Sequence, residues 1–286
     1  MSFSTKVTPP DLTKMKGQGH RISMITAYDY PTARAVEEAG IEVVLVGDSL
    51  GNVVLGYDNT LPVTMDEQLH HVKAVRRGLT RPLLIADMPY LSFQVNETEA
   101  VRNGGRFMKE AGAEAVKLEG GREMIPTISR LLHARIPVMG HIGLTPQSIH
   151  VFGGYKVQGK KQKAADHLIT DALALEKAGV FALVLEGIPW QVSQKITAKL
   201  TIPTIGIGAG PHCDGQVLVF HDLTGFSDEN KPRFVREYCN VRQIVVEAVR
   251  SYVDDVRQNN FPSLEESYSQ KIMKKNNKQS ENSKHD

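Results

Sequence analysis

Six short apolar runs of the 286-residue sequence end at or beside a side chain able to bind a cation, hold an anion or move a proton. They are Asp29, Asp48 with Ser49, Asp87, Lys117 with Glu119, His141 and Glu186. Gathered around one pocket, these groups would suit metal-assisted proton chemistry, in which a hard cation polarises a carbonyl and a free carboxylate takes a proton. Asp48, Asp87 and Glu119 close three consecutive runs. Neighbouring carboxylates repel, and oxygen ligands without cysteine or paired histidine favour Mg²⁺ or Mn²⁺ over zinc. A helix cap or a solvated loop charge is the plainer account of any one of them alone, but it fits three in adjacent positions poorly.

Lys117 stands two residues before Glu119 in VKLEGG, so the two side chains share a strand face. It is either a counter-ion to Glu119 or a clamp for a substrate carboxylate. His141, in GHIGLTPQS, is either a satisfied core histidine or a polar contact to substrate. Glu186, in LVLEGIP, closes a later run, roughly across the pocket from Asp87. A carboxylate held away from the cation could act as general base there; the alternative is a cap on the helix that follows. GIGAG at 206–210 could receive an anion, although a glycine cluster more often marks a tight turn.

The elements that must position these residues alternate between β-branched apolar runs and helical stretches, the pattern of a parallel sheet with helices outside it. Eight runs are expected as strands: 22–28, 43–47, 83–87, 115–119, 137–141, 182–186, 204–208 and 217–221. Several (EVVLVGD, PLLIAD, ALVLEG) are continuously apolar, which requires burial on both faces. The expected fold is α/β, a single (β/α)₈ TIM barrel, whose C-terminal strand ends converge on one opening. A capping box at Thr64–Glu67, Asn96 with Glu99, Thr145–Pro146, and glycines at 112 and 179 mark helix ends. An extra N-terminal helix, around Asp11 to Lys16, has no partner strand and is expected to plug the barrel bottom. Residues 49–63 read as a loop covering substrate. The barrel, with that helix, is expected over residues 1–262. The polar tail 263–286 has too little apolar surface to order itself.

The composition excludes several functions. With 34 basic and 32 acidic side chains the net charge is +2, which gives no reason to expect nucleic acid or an anionic membrane as partner. No apolar run reaches the ~18 residues of a membrane span, and MSFSTKVTPP lacks a secretory h-region, so a cytoplasmic address is expected. Cys213 and Cys239, 26 positions apart, fit neither a disulfide framework nor a zinc knuckle, and are expected as free thiols.

Taken in order, GDSLG (47–51), TLPVT (60–64), VKLEGG (116–121), GHIGLTPQS (140–148), FGGYKVQG (152–159), VLEGIP (184–189) and IGIGAG (205–210) closely resemble the ketopantoate hydroxymethyltransferase family, over about Ile22 to Pro262. The resemblance implies a (β/α)₈ barrel in a large homo-oligomer, typically a decamer. It implies transfer of a one-carbon unit from the co-substrate 5,10-methylenetetrahydrofolate to 2-oxoisovalerate through a Mg²⁺-stabilised enolate, giving 2-dehydropantoate for pantothenate and coenzyme A synthesis. By the same resemblance Asp48 and Asp87 hold Mg²⁺ with Glu119 as further ligand or water-mediated contact, Ser49 and Lys117 bind the oxo acid, and Glu186 accepts the proton. Asp48, Asp87 and His141 would also meet substrate. Two rival readings are a Mg²⁺-dependent C–C lyase of the phosphoenolpyruvate mutase and isocitrate lyase kind, and a silent barrel that only binds a small acid. The first lacks a cysteine in a strand-end loop; the second has no need of Glu186.

Overall fold

The computed structural model of the chain describes residues 5–227 and 232–268. Its strands are β1 (Ile22–Thr26), β2 (Val43–Val46), β3 (Leu83–Asp87), β4 (Ala115–Glu119), β5 (Val138–Gly143), β6 (Ala182–Glu186), β7 (Thr204–Ile207) and β8 (Gly215–Leu218). All pair in parallel, each with its sequence neighbour, and β8 returns to β1 to close the barrel. The expected TIM barrel is therefore the observed fold. β2, β3, β4 and β5 are buried along their whole length, as continuous apolar runs demand.

Two apolar layers hold the barrel. One lies between the sheet and the outer helices and includes Val44, Leu84, Val116, Phe107, Ile128 and Leu131. The other fills the barrel interior with Met24, Leu45, Ile85, Met139, Val184 and Ile205. The alternation of strand side chains sends one set outward and the other inward.

The N-terminal helix, Pro9–Gly17, joins the interior layer through Leu12 and Met15 and stoppers the barrel end opposite the strand C-termini, as expected. Lys16 fastens it: Nζ donates to the carbonyls of Thr197 (3.1 Å) and Ile202 (2.9 Å) and pairs with Asp214 at 3.0 Å.

Helix signals held where a side chain could reach an orphan amide. Thr64 and Glu67 form the reciprocal box that opens Met65–Gly78, and Asn96 accepts from Glu99 N at 2.9 Å to open Glu97–Ala111. Two expectations are corrected, and a third, the loop at 49–63, gains detail. The eighth strand is Gly215–Leu218 rather than 217–221, because two weakly hydrophobic residues begin it, and His221 lies in the helix Phe220–Thr224. Thr145 supplies no side-chain cap; Pro146–Ser148 is a 3₁₀ turn. The stretch 49–63 contains a short helix, Leu50–Val53, and is tied down by Tyr57 Oη donating to Glu67 at 2.5 Å. Both cysteines are free, Cys213 buried and Cys239 exposed. Of the polar tail, residues 269–286 lie outside the described residues.

The helix Val241–Arg257 buries none of its residues. Val245, Val249, Tyr252 and Val256 form a stripe along one face, with Val249 and Tyr252 each 55 % exposed.

If the N-terminal helix stoppers the barrel, Leu12→Ala should cost about 2–5 kcal/mol, the usual price of a large-to-small change in a closed core. Urea unfolding measures it; a loss below about 1 kcal/mol would mean that this end of the barrel does not depend on the helix.

Candidate functional site

A cavity of about 990 Å³ opens at the C-terminal ends of the strands. Asp48, Ser49, Asp87, Lys117, Glu119, His141 and Glu186 all border it, so every expected site residue meets in one chamber. The exception among the polar strand ends is Asp29, which caps the helix Tyr30–Glu38 by accepting from Thr32 N at 2.7 Å.

Lateral register packs the charges together. Asp87 is paired with Lys117 across β3–β4, and Glu119 with His141 across β4–β5. Lys117 Nζ lies 2.8 Å from Asp87 Oδ1, 3.9 Å from Glu119 Oε1 and 3.3 Å from His141 Nδ1. Its first partner is thus Asp87, with Glu119 farther off. His141 bridges two carboxylates: Nδ1 is 3.6 Å from Glu119 Oε1, and Nε2 is 3.2 Å from Glu186 Oε2. Neither the Asp48 nor the Glu186 carboxylate caps a following helix, which removes the bland reading of both. In the closed strand order β6 stands across from β2, so Glu186 is opposite Asp48 rather than Asp87.

Gly143 allows β5 and β6 to end so close together. Its φ is +100°, and a Cβ there would lie 2.3 Å from the Glu186 carbonyl oxygen, which accepts from Leu144 N at 2.8 Å. Ser49 Oγ sits 2.8 Å from Tyr28 Oη at the start of Leu50–Val53, which aims the hydroxyl from a fixed point on the rim.

Burial governs the ionisation of the cluster. It pushes Asp48 well above the ordinary carboxylate range, and Asp87 and Glu119 push in the same direction. Asp87 is also raised by burial, against the pull of Lys117. Burial opposes the charge on Lys117, but Asp87, Glu119 and Asp48 outweigh it and hold the ammonium above its usual value. For His141, burial and Lys117 lower the pKa, yet the hydrogen bonds it donates to the Glu119 and Glu186 carboxylates prevail and raise it to about 9. Burial forces Asp48 and Asp87 upward, while His141 and Lys117 outweigh it at Glu119 and hold that carboxyl below its usual value, so the two aspartates are the groups short of positive charge.

That shortage is the condition a divalent cation relieves. Asp87 Oδ1 and Glu119 Oε1 are buried and, although Lys117 lies beside both, neither accepts a well-formed hydrogen bond, so each keeps a lone pair for a ligand. Among the described residues, no three His, Cys, Asp or Glu side chains converge to enclose an ion by themselves. Such a donor set fits a cation that keeps water or substrate oxygen among its ligands, as Mg²⁺ does; Asp48 and Asp87 could hold it with Glu119 close by. Neither cysteine borders the cavity.

Gln147 escaped the sequence reading. It is buried, and its Nε2 donates both to Asp48 Oδ2 and to the Met88 carbonyl, each at 2.9 Å, while its backbone N donates to Glu119 Oε2 at 3.0 Å. Gln94 Nε2 donates to its Oε1 at 3.0 Å and so fixes which way the amide points. One residue thereby links the ends of β2 and β3 through its side chain and that of β4 through its backbone N–H. Only its place in GHIGLTPQS hinted at this; glutamine after proline in a loop is otherwise an ordinary surface residue.

The profile of the ketopantoate hydroxymethyltransferase family matches residues 6–264. The chain is 56 % identical over 263 residues to a 3-methyl-2-oxobutanoate hydroxymethyltransferase of Carboxydothermus hydrogenoformans, covering 92 % of this chain and 95 % of that one. One from Moorella thermoacetica is 53 % identical, covering 94 % and 100 %. Among solved structures, phosphonopyruvate hydrolase in complex with oxalate and Mg²⁺ superposes with a TM-score of 0.60 at 16 % identity, covering 91 % of this chain and 93 % of that one. A 2,3-dimethylmalate lyase of the PEP mutase/isocitrate lyase superfamily gives 0.58 at 14 %, covering 93 % of each. At those identities the likeness is one of fold.

Gln147→Met keeps the volume and removes the amide, leaving Asp48 Oδ2 and the Met88 carbonyl without their donor. We expect a stability loss of about 1–3 kcal/mol by urea unfolding, the usual cost of a buried group left unpaired; unchanged stability would mean that the carboxylates are positioned without it.

Proposed function

Because this chain belongs to the ketopantoate hydroxymethyltransferase family, and is therefore a hydroxymethyltransferase, we propose that it transfers the hydroxymethyl group from 5,10-methylenetetrahydrofolate to 2-oxoisovalerate (3-methyl-2-oxobutanoate), giving 2-dehydropantoate on the route to pantothenate. The observation that carries this reading is the His141 bridge, which joins a cation-hungry carboxylate cluster to a single carboxylate across the same chamber.

In this reading Asp48 and Asp87 hold Mg²⁺, with Glu119 as a further ligand or reaching through water. When bound, Mg²⁺ supplies a Lewis acid that draws electron density from the 2-oxo group and lowers the cost of removing the C3 proton. The Lys117 ammonium and the Ser49 hydroxyl bind the oxo acid, Lys117 as a point charge for its carboxylate. Asp87, at 2.8 Å, keeps that ammonium charged and in place. His141 contacts substrate on one side and, through Nε2, steadies the Glu186 carboxylate on the other. Glu186, with its side chain 15 % exposed to the cavity, takes the proton from C3. The electron pair left on C3 then attacks the methylene carbon as one of its two C–N bonds opens and that nitrogen takes up the proton removed from C3; water then replaces the second C–N bond, leaving –CH₂OH on C3 and releasing tetrahydrofolate with the remaining proton on its nitrogen.

The same reading makes the protein a cytoplasmic homo-oligomer, a decamer by its family. No helix among the described residues is long and apolar enough to cross a membrane. The apolar stripe of Val241–Arg257, which its own barrel leaves bare, is the kind of surface that a neighbouring subunit covers.

Exchange of the C3 proton in D₂O, followed by NMR with 2-oxoisovalerate and Mg²⁺ but no folate, tests the chemistry. Wild-type protein should exchange it in a metal-dependent way, and Glu186→Gln should lose about 10²–10⁴ in rate while still binding the oxo acid. Normal exchange in Glu186→Gln would remove it as the base. Paired Val249→Asp and Tyr252→Asp changes should shift the assembly to a smaller mass by light scattering; an unchanged mass would clear this helix of any role between subunits.

A further inference from the structure

The barrel mouth is chemically divided, and the proposed function uses only part of it. The ends of β2 to β5 supply Asp48, Asp87, Lys117, Glu119 and His141. Across from them the cavity wall is built by Ile207, Gly208, Val217, Leu218, Phe226 and Phe234. A branched oxo acid with one carboxylate and one ketone is satisfied by the polar half. The cavity, at about 990 Å³, is at the upper end of those that hold drug-sized molecules, far more than so small an acid fills.

The second half has the features of a seat for a flat ring. Phe226 and Phe234 border the cavity yet remain 42 % and 38 % exposed, an unusual cost for two aromatic side chains unless something lies against them. Both are braced from behind. Phe226 stacks on His221 with centroids 5.7 Å apart and planes 16° off parallel, and His221 in turn meets Tyr28 at 5.6 Å. Phe234 rests on Gly208, where φ is +62° and a Cβ would lie 2.6 Å from Cδ1 of the ring. Gly208, in the glycine run at the end of β7, thus receives a phenylalanine ring. Two polar groups accompany the rings: Ser227 Oγ is buried without a hydrogen-bond partner, and Arg233 lines the same wall. Glu186, on β6, stands at the seam between the halves.

We propose that the β7–β8 half is the donor subsite. The pterin ring of 5,10-methylenetetrahydrofolate lies against Phe226 and Phe234, and Arg233 meets the carboxylates of its glutamate tail. This rests on the reading of the chain as a folate-dependent transferase, and it brings the methylene carbon to the seam where Glu186 works.

Two measurements on the full-length protein separate the subsite from that reading: the KM for methylenetetrahydrofolate, and the folate-free exchange of the C3 proton of 2-oxoisovalerate. Phe234→Ala and the gentler Phe234→Leu should raise the donor KM by about tenfold or more and leave exchange within about twofold of wild type. Arg233→Ala should weaken tetrahydrofolate binding by calorimetry but not that of 6-methyltetrahydropterin, which lacks the tail. Exchange intact with the donor KM unchanged in both Phe234 variants would overturn the subsite and leave the proposed function standing. Equal weakening of both pterins by Arg233→Ala would overturn the tail contact. Absence of exchange in wild-type protein would overturn the functional reading itself, and the donor subsite with it.

Discussion

The site depends on an ammonium held among carboxylates where water is scarce. Lys117 is nearly inaccessible, as are Asp87 and Glu119, and a charge so placed is tolerated only with opposite charge in contact. Their main chains cannot drift apart, because β3, β4 and β5 are joined by ladder hydrogen bonds in a register that sets Asp87 beside Lys117 and Glu119 beside His141. The acids still outnumber the bases; burial is the main cause that raises Asp48 and Asp87, with neighbouring carboxylates adding to it and Lys117 opposing it. The scaffold keeps this imbalance, and the chemistry proposed for it draws on the imbalance.

Rigidity around the cluster comes from apolar packing on both sides of the sheet. The outer helices press on one face of each strand and the interior layer on the other, so the strand ends are held from two directions. Local ties add to this. Gln147 links three strand ends through its side-chain amide and its backbone N–H, and the tight approach at Gly143 fixes the end of β6 against that of β5. A base and its partner histidine on neighbouring strand ends need no flexible loop to meet.

Much of this was legible in the sequence, for a physical reason. Strands buried on both faces must be apolar until they end, so the first charged residue after each run announces the cavity. Asp48, Asp87, Glu119 and Glu186 could be read in that way, and Lys117 followed from the two-residue period of a strand. The partner of Lys117 could not, because the neighbour across β3–β4 is set by strand register, which a single chain of letters does not display. Gly215 and Gln216 carry little hydrophobic signal, and they hid the start of β8. Gln147 and Phe234 were invisible for a related reason: each acts through contacts with elements far away in sequence.

The stopper helix has a further consequence for traffic. With Leu12 and Met15 wedged into one end, the described residues close the bottom of the barrel and leave the chamber open at the C-terminal ends of the strands. If the oxo acid and the folate occupy opposite halves of the mouth as proposed, both reach the strand ends through that opening, and traffic is confined to one face of the barrel.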